Sequence, residues 1–333
     1  MSSPSASLLQ EVLVCARRSF RTGVPKTFVS RRRLLASLPQ KESSNCAGMT
    51  QSAPVASRAG GDGGALLPGY TLFVHGVCPY AHRAWLAVHE LGLTDAVAVA
   101  HPGLGPTMQA WYKQHVNPKE TVPALLTHRD AAVKAKPLTE LRAGADGDVT
   151  VESLDIVHHL CHVAERRQQR GHATASSSDL LPRTPEEKAA VMRFLTHVDD
   201  VLIPAMYGVL MCPPAKRADK IAKCDAALAT AEAMIEAQHG GTDDAARPFL
   251  LGGRYTVADV ALVPFLDRFA ATLPVYADGY DVTRRAPRLA RMLVAAAQRP
   301  SFRHTAMPAS YYVKRYKHYT YEFAQGQDPR SRL

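Results

Sequence analysis

A cysteine followed by a proline marks the point where a strand pattern changes into a helix pattern, and this junction limits the fold more than any other feature. Alternating apolar residues over Tyr70–His75 predict a strand. Pro79 suits the first position of a helix because its missing N–H would have no partner there. Apolar residues spaced three and four apart continue the helix to Gly92, which ends it. Cys78 therefore stands at a helix N-terminus.

The position of Cys78 favours chemistry over a purely structural role. Unpaired N–H groups and the positive end of the helix dipole stabilise the thiolate, which is the nucleophilic form of cysteine. His82 and Arg83 follow in the next turn and add nearby positive charge. A buried structural cysteine is the common alternative, but few of these stand at such a junction before a proline. Cys78 is therefore predicted to be a catalytic nucleophile.

The elements after the first helix follow the order of a thioredoxin-like domain. Further strands are expected over Asp95–Ala100, Thr121–Leu126 and Val149–Val151, and helices over Met108–His115 and Ser153–Arg166. An unusually long connection, Thr127–Asp148, joins the last two strands. The order strand–helix–strand–helix–strand–strand–helix predicts a thioredoxin-like N-terminal domain over residues 67–166.

The C-terminal half has only helical patterns. A linker over 167–184 contains the Ser/Thr/Pro-rich stretch Ala173–Thr184. Helices are then expected over Pro185–Cys212, Ala215–Gln238, Thr256–Ala270, Pro287–Arg299 and Pro308–Tyr319. The fold class is therefore α/β plus all-α: the thioredoxin-like domain is followed by an all-helical domain over 185–320 and a tail over 321–333.

Residues 1–66 lack the pattern of a folded domain and carry most of the positive charge. Residues 1–48 contain eight Lys/Arg and two acidic residues, so this stretch holds +6 of the net charge of +10. Ser7–Arg33 mixes apolar residues with arginines, which is typical of a mitochondrial transit peptide. The alternatives are a disordered tail, or an upstream start codon assigned in error, with Met49 as the true start and a cytoplasmic location. The small charge left on the folded part argues against nucleic-acid binding.

The cysteine pattern and the hydropathy of the chain limit which other classes of protein it can belong to. The six cysteines stand at positions 15, 46, 78, 161, 212 and 224, and none forms a Cys-x-x-Cys pair. This pattern excludes a disulfide scaffold and indicates a reducing compartment with free thiols. We find no apolar run of about 18 residues, so no transmembrane helix is expected.

Two further elements predict a pocket beside Cys78. The Val122–Pro123 bond is a candidate for the cis form, because a proline that opens a strand needs an edge or a special turn. Glu152 and Ser153 start a helix, where a serine can act as the cap and first-turn N–H groups can hold a carboxylate. Glu152 can meet an ammonium group. Together these residues predict a site for a small zwitterionic peptide beside a thiolate.

The chain resembles omega-type glutathione transferases and the related thiol-dependent and dehydroascorbate reductases. The resemblance covers roughly residues 67–320 and is carried by VCPYAHRAWLAVHELGL, NPKETVPALL, VTVESLDIVHHL and FLLGGRYTVADVALVPFLDRF. It implies that Cys78 is the nucleophile and lies at the mouth of an open cleft. It also implies that Val122, beside a cis Pro123, binds the cysteinyl backbone of glutathione, and that Glu152 and Ser153 hold its γ-glutamyl end.

The resemblance implies a glutathione-dependent thiol–disulfide oxidoreductase or transferase that works through a mixed disulfide on Cys78. Ala81 stands where a resolving cysteine would be, so a second external thiol must release the product. Glutathione, or a conjugate of it with a free thiol, is the expected cosubstrate, and no metal is expected. Glutathionylated proteins, small disulfides and dehydroascorbate are the expected substrates, and a homodimer is a possible assembly.

The same resemblance identifies an element that serves folding, and it shows one position where this chain departs from the family pattern. Thr256 and Asp259 match the family's helix-capping box. Omega enzymes often place a lysine three residues before the tryptophan of the second helix, where this chain has Met108. Three nearby basic residues are the candidate replacements: Lys113, His115 and Lys119.

Other residues and other functions remain as alternatives. The helix that carries His158, His159, Cys161 and His162 cannot converge four metal ligands by itself. The tyrosines at 311, 312, 316 and 319 pack a last helix or roof the substrate site. A chloride-intracellular-channel-like protein shares the fold and the Cys-Pro-aromatic start, but the missing apolar run argues against stable membrane insertion. A catalytically silent binding protein is the third alternative.

Overall fold

The computed structural model describes residues 69–171, 179–240 and 246–324. The predicted targeting segment, Met49 and residues 172–178 of the predicted linker lie outside these residues. The structural statements that follow concern the described ranges.

A four-stranded sheet forms the core of the N-terminal part. Its strands lie in the order β2-β1-β3-β4; β2 is parallel to β1, and β3 is antiparallel to both β1 and β4. Helices α1 and α3 pack against each other. The elements are β1 (Tyr70–Phe73), α1 (Pro79–Glu90), β2 (Val97–Ala100), α2 (Ala110–His115), β3 (Ala124–His128), β4 (Gly147–Val151) and α3 (Ser153–Gln169). This order confirms the predicted thioredoxin-like arrangement.

The third strand begins later than its sequence pattern suggests. It was expected from Thr121, but β3 starts at Ala124, directly after Pro123. Proline has no N–H for the sheet ladder, so it stands before the strand instead of opening it. The long connection to β4 then forms two short 3₁₀ turns, Ala131–Ala135 and Leu138–Glu140.

The C-terminal part is entirely helical, as predicted. A π-helical turn, Val198–Leu202, joins α4 to α5 within one continuous helical stretch. The helices are α4 (Pro185–His197), α5 (Ile203–Met211), α6 (Arg217–His239), α7 (Val257–Tyr276), α8 (Val282–Arg285), α9 (Pro287–Ala297), α10 (Pro300–Thr305), α11 (Ala309–Tyr316) and α12 (Tyr321–Ala324). The short α8, α10 and α12 were not expected, because four to six residues carry too little periodicity to be recognised.

The start of α7 shows the capping box predicted from the sequence. The Asp259 carboxylate accepts the Thr256 N–H at 2.8 Å, and the Asp259 N–H donates to the Thr256 carbonyl at 3.0 Å. Asp259 also accepts the Leu250 N–H at 3.0 Å, and burial raises its pKa to about 6. The box therefore joins the loop before α7 to the first turn of this largely buried helix.

The helix that begins at Cys78 is held at its far end by the helical part. Arg299 donates to both carboxylate oxygens of Glu90, at 2.7 and 2.6 Å. The Arg299 guanidinium also lies 4.5 Å from the centre of the Tyr255 ring. Since paired hydrogen bonds of this kind fix direction as well as distance, α1 is oriented relative to the helical domain.

The beginning of the expected tail is anchored. Tyr321–Ala324 forms α12, and Glu322 is buried against Arg217 at 3.2 Å. Arg217 also pairs with Asp278 at 2.8 Å. These ion pairs connect three distant segments, which the local sequence pattern could not indicate.

One helical stretch, Pro185–Met211, is long and apolar enough to cross a membrane by length and composition. This finding corrects the expectation that no stretch of this kind exists. Most of the stretch is buried inside the protein, where it packs against α6 and α7. A core helix passes the same test of length and composition, so the stretch is weak evidence for insertion.

Candidate active site

Cys78 is the N-cap residue of α1. Its backbone is extended, with φ −75° and ψ 116°, and its sulfur accepts the Ala81 N–H at 3.5 Å. The sulfur also lies 3.5 Å from the Val122 carbonyl oxygen, to which the neutral thiol donates. A thiolate would keep the bond from Ala81, as an N-terminal anion does at a helix end.

The Val122–Pro123 bond is cis, as the sequence suggested. The loop before it is held from α2 and the loop that follows α2, because the Tyr112 hydroxyl and the Asn117 amide both donate to the Thr121 carbonyl, at 2.7 and 2.9 Å. This arrangement presents the Val122 backbone directly opposite Cys78.

Sheet pairing brings the third predicted element to the same edge. Ala124, which follows Pro123, pairs with Val151, which precedes Glu152. Glu152 is exposed and takes a left-handed backbone with φ 69°, so it makes the sharp turn from β4 into α3. The structure thus places the predicted Val122–Pro123 and Glu152–Ser153 pairs beside each other.

Ser153 has a different local role from the expected one. Glu152 is the N-cap of α3, and Ser153 is its first helical residue. The Ser153 hydroxyl is buried and accepts a hydrogen bond from Arg83 at 3.3 Å. The expectation that Ser153 caps the helix is therefore wrong: the helix begins at Ser153 as predicted, and the left-handed Glu152 occupies the N-cap position.

His82 and Arg83 do not provide a positive charge beside the Cys78 sulfur in the way the sequence suggested. Arg83 is buried and pairs with Asp199 at 2.5 Å. His82 accepts from Arg268 at Nδ1 (2.9 Å), and its Nε2 lies 2.8 Å from the Thr305 hydroxyl, so it is the neutral tautomer with the proton on Nε2. Burial, together with Arg268, lowers the His82 pKa well below 6.5. The expectation of a cationic His82 was wrong.

Aromatic hydroxyls and one guanidinium surround Cys78 instead. Groups of the described ranges that interact with it electrostatically include Tyr80, Tyr207, Tyr316, Tyr319 and Arg268. Burial raises the pKa of each of these tyrosines above 10, so all four are neutral at physiological pH. Arg268 is therefore the positive charge in this group.

The C-terminal segment roofs Cys78. The Tyr316 hydroxyl donates to the Val77 carbonyl at 3.3 Å, and Tyr319 follows in the next turn. Cys78 is only 8% exposed, so it is buried and does not lie at an open mouth. Two roles were predicted for the tyrosines at 311, 312, 316 and 319: packing of a last helix and covering of the substrate site. Tyr316 has both roles, because it packs the last helices and covers the site.

Met108 stands where omega enzymes often have a lysine, but it cannot bind a ligand as a lysine would. Met108 is buried in the core, whereas Lys113 is partly exposed and pairs with Glu120 at 2.8 Å. Glu120 has φ 55° and lies two residues before Val122. Of the three candidate replacements, Lys113 is therefore tied to the loop that carries the cis bond.

In the described ranges, no three His, Cys, Asp or Glu side chains lie close enough together to hold a metal ion. The ring centres of His158 and His162 lie 4.4 Å apart on α3. Cys161 is buried on the same helix, and burial raises its pKa.

Two family models match the chain in the order of its two domains. The model "Glutathione S-transferase, N-terminal domain" matches residues 77–163, and "Glutathione S-transferase, C-terminal domain" matches residues 190–305. Together they cover more than half of the sequence. The chain belongs to the glutathione S-transferase superfamily. The family binds glutathione, and the matched ranges contain Cys78, Val122, Pro123, Glu152 and Ser153.

Curated plant relatives are similar to this chain over most of its length. Glutathione S-transferase L1 of Arabidopsis thaliana is 25% identical over 256 residues, which are 77% of this chain and 90% of that protein. Protein IN2-1 homolog B of Oryza sativa subsp. indica is 28% identical over 67% of this chain and 73% of its own length. These curated relatives include L-type transferases.

Solved structures share the fold. The Leishmania protein described as "TDR1 - a unique trimeric glutathione transferase" is 29% identical, with a TM-score of 0.60 over 76% of this chain. This chain spans about half, 49%, of that protein's length. Glutathione transferase Omega 2C from Trametes versicolor is 23% identical, with a TM-score of 0.55 over 75% of this chain and 98% of its own.

Proposed function

We propose that this glutathione S-transferase is a glutathione-dependent thiol–disulfide oxidoreductase with Cys78 as its nucleophile. The observation that carries the proposal is the position of the Cys78 sulfur, 3.5 Å from both the Ala81 N–H nitrogen and the Val122 carbonyl oxygen. A thiol at a helix N-cap, facing a backbone that can pair with a peptide, can form a disulfide with the cysteine of that peptide.

The reaction proceeds in two exchanges. The Cys78 thiolate attacks the glutathione sulfur of a mixed disulfide, a Cys78–glutathione disulfide forms, and the substrate leaves as a thiolate. A second glutathione thiolate then attacks the glutathione sulfur of that disulfide, which releases oxidised glutathione and regenerates Cys78. Dehydroascorbate would take up two electrons and two protons from two glutathione molecules in the same overall sense. A glutathione conjugate with a free thiol is an alternative reductant.

Glutathione has the groups that the neighbouring residues suit. An extended cysteinyl backbone would pair with Val122, and the γ-glutamyl ammonium would meet the exposed Glu152 carboxylate. The γ-glutamyl carboxylate would meet the first-turn N–H groups of α3, starting at Ser153. Lys113 is the basic residue that we assign to the glycyl carboxylate. As is typical of the family, we propose a homodimer as the working assembly.

The decisive experiment compares two reaction classes in one preparation. We expect glutathione-dependent reduction of a glutathionylated peptide, a small disulfide or dehydroascorbate to exceed conjugation of glutathione to an aryl halide by at least about 100-fold in kcat/KM. The reason is that Cys78 traps glutathione as a disulfide, whereas conjugation needs a hydroxyl that stabilises free glutathione thiolate. Efficient conjugation without reduction would contradict the proposal. The absence of both activities would indicate a catalytically silent binding protein.

We also propose that residues 1–66 direct the protein to mitochondria. Their support is the sequence alone, because Ser7–Arg33 is basic, apolar and poor in acids. A fluorescent reporter fused to residues 1–66 is expected to enter mitochondria, and the same fusion with the arginines of Ser7–Arg33 changed to glutamine is expected to stay cytosolic. A diffuse signal from the unchanged fusion would instead favour Met49 as the start.

A further inference from the structure

Arg268 is a buried cation of the helical domain that reaches the loop before Cys78. It stands on α7 and is 1% exposed. Its guanidinium donates to the Gly76 carbonyl at 2.8 Å and to the Val77 carbonyl at 2.9 Å. These two carbonyls belong to the residues that turn the chain from β1 into α1. The fork geometry of a guanidinium holds both at once, which fixes the direction of the turn that ends at Cys78.

The surroundings of Arg268 leave its charge uncompensated by direct contact. Its other hydrogen bonds go to the Pro264 carbonyl at 2.8 Å and to Nδ1 of the neutral His82 at 2.9 Å. The Tyr312 ring lies 4.5 Å from the guanidinium carbon on the side of α11. None of these partners is an anion, although Asp267 interacts with the guanidinium through space. A buried charge of this kind is costly until a negative charge forms near it.

The Cys78 thiolate is such a charge. Arg268 interacts electrostatically with Cys78, as do four neutral tyrosines: Tyr80 on α1, Tyr207 on α5, and Tyr316 and Tyr319 of the C-terminal segment. An opposite charge in a dry environment favours the ionised form of an acid. The roof formed by Tyr316 strengthens the effect, because it keeps water away from the pair.

We propose that Arg268 is the positioning residue that activates Cys78: it clamps the Gly76–Val77 carbonyls and supplies the positive charge that favours the thiolate. This inference rests on the proposed role of Cys78 as nucleophile. It assigns to a residue of the helical domain the task that the sequence suggested for His82 and Arg83.

The test measures the rate of Cys78 alkylation by iodoacetamide against pH, with each cysteine followed separately by peptide mass spectrometry. Removing the charge in R268Q is expected to slow Cys78 alkylation about tenfold at pH 6.5 and to move the rate profile upward by about one pH unit. R268K keeps the charge and is expected to leave the profile near that of wild type. Arg299, a half-buried arginine that contacts Glu90 instead, provides the matched control R299Q, which is expected to leave the profile unchanged.

A merely structural role for Arg268 would lower stability without moving the pH profile. A folded R268Q protein with the wild-type profile therefore overturns the proposal, as does an equal shift in R299Q. If R268Q does not fold, R268K decides: an upward shift of a full pH unit would contradict the charge role, and an unmoved profile supports it. Alkylation needs no glutathione, so the two proposals can fail separately. If the wild-type protein does not reduce glutathionylated substrates but its alkylation profile depends on Arg268, the proposed function is rejected and the role of Arg268 is kept.

Discussion

Replacing Cys78 with alanine abolishes glutathione-dependent reduction in our expectation. In the proposed mechanism the Cys78 sulfur forms the mixed disulfide, and burial raises the pKa of the other thiols of the described ranges, Cys161, Cys212 and Cys224. Loss of a covalent nucleophile removes the reaction path, so kcat/KM for a glutathionylated peptide is expected to fall by at least about 1,000-fold. The measurement is a coupled assay of oxidised glutathione, with circular dichroism to confirm the fold.

Two variants control this experiment. Cys78→Ser keeps the size and the helix cap but cannot form a disulfide, so it is expected to lose reduction as completely as Cys78→Ala. Cys212→Ser removes a thiol that donates to the Val209 carbonyl at 3.1 Å, away from the site, and is expected to keep wild-type activity. Residual reduction above about 10% in Cys78→Ala would show that another thiol carries the chemistry.

The thiols of the folded region are expected to react at very different rates. Burial raises the pKa of Cys224 to about 12, and it raises those of Cys161 and Cys212 as well. At pH 7 a thiol with a pKa near 12 is ionised in only about one molecule in 10⁵. Cys78 accepts an N–H hydrogen bond and lies close to Arg268, so we expect iodoacetamide to alkylate it at least about 100-fold faster than these three.

The labelling experiment has a clear internal reference. In 6 M guanidinium chloride all four thiols become exposed, and their rates are expected to converge to within about threefold, because the differences come from the fold. Peptide-resolved mass spectrometry keeps Cys15 and Cys46 separate from these four. Equal labelling of Cys78 and Cys224 in the native protein below pH 7 would remove the physical basis for the nucleophile.

The features that sequence analysis predicted correctly depend on neighbours along the chain. The Cys78-Pro79 junction, the capping box of Thr256 and Asp259 and the cis bond before Pro123 each involve residues within a few positions of one another. Short-range rules of helix capping and proline geometry act on such segments whatever surrounds them. The two-domain fold followed because these local elements stand in a distinctive order.

Boundaries and local roles were less accurate where two rules compete. Ser153 is a good capping residue, but the left-handed turn at Glu152 takes the N-cap position. The strand after Pro123 begins one residue past the proline because the ladder needs N–H donors. In the first case the helix begins at Ser153 as predicted and only its cap was misassigned, and in the second the strand was indicated but its first residue was misplaced.

The electrostatics of the site were decided only by the tertiary structure. His82 and Arg83 follow Cys78 directly, yet packing turns Arg83 toward Asp199 and keeps His82 neutral. Arg268, which stands 190 positions after Cys78 in the sequence, becomes the cation near Cys78, and Tyr316 becomes the residue that covers Cys78. Sequence alone determined the two-domain fold and singled out Cys78 as the candidate nucleophile. The direction in which each charged side chain points depended on burial against distant helices, and no local pattern encodes that.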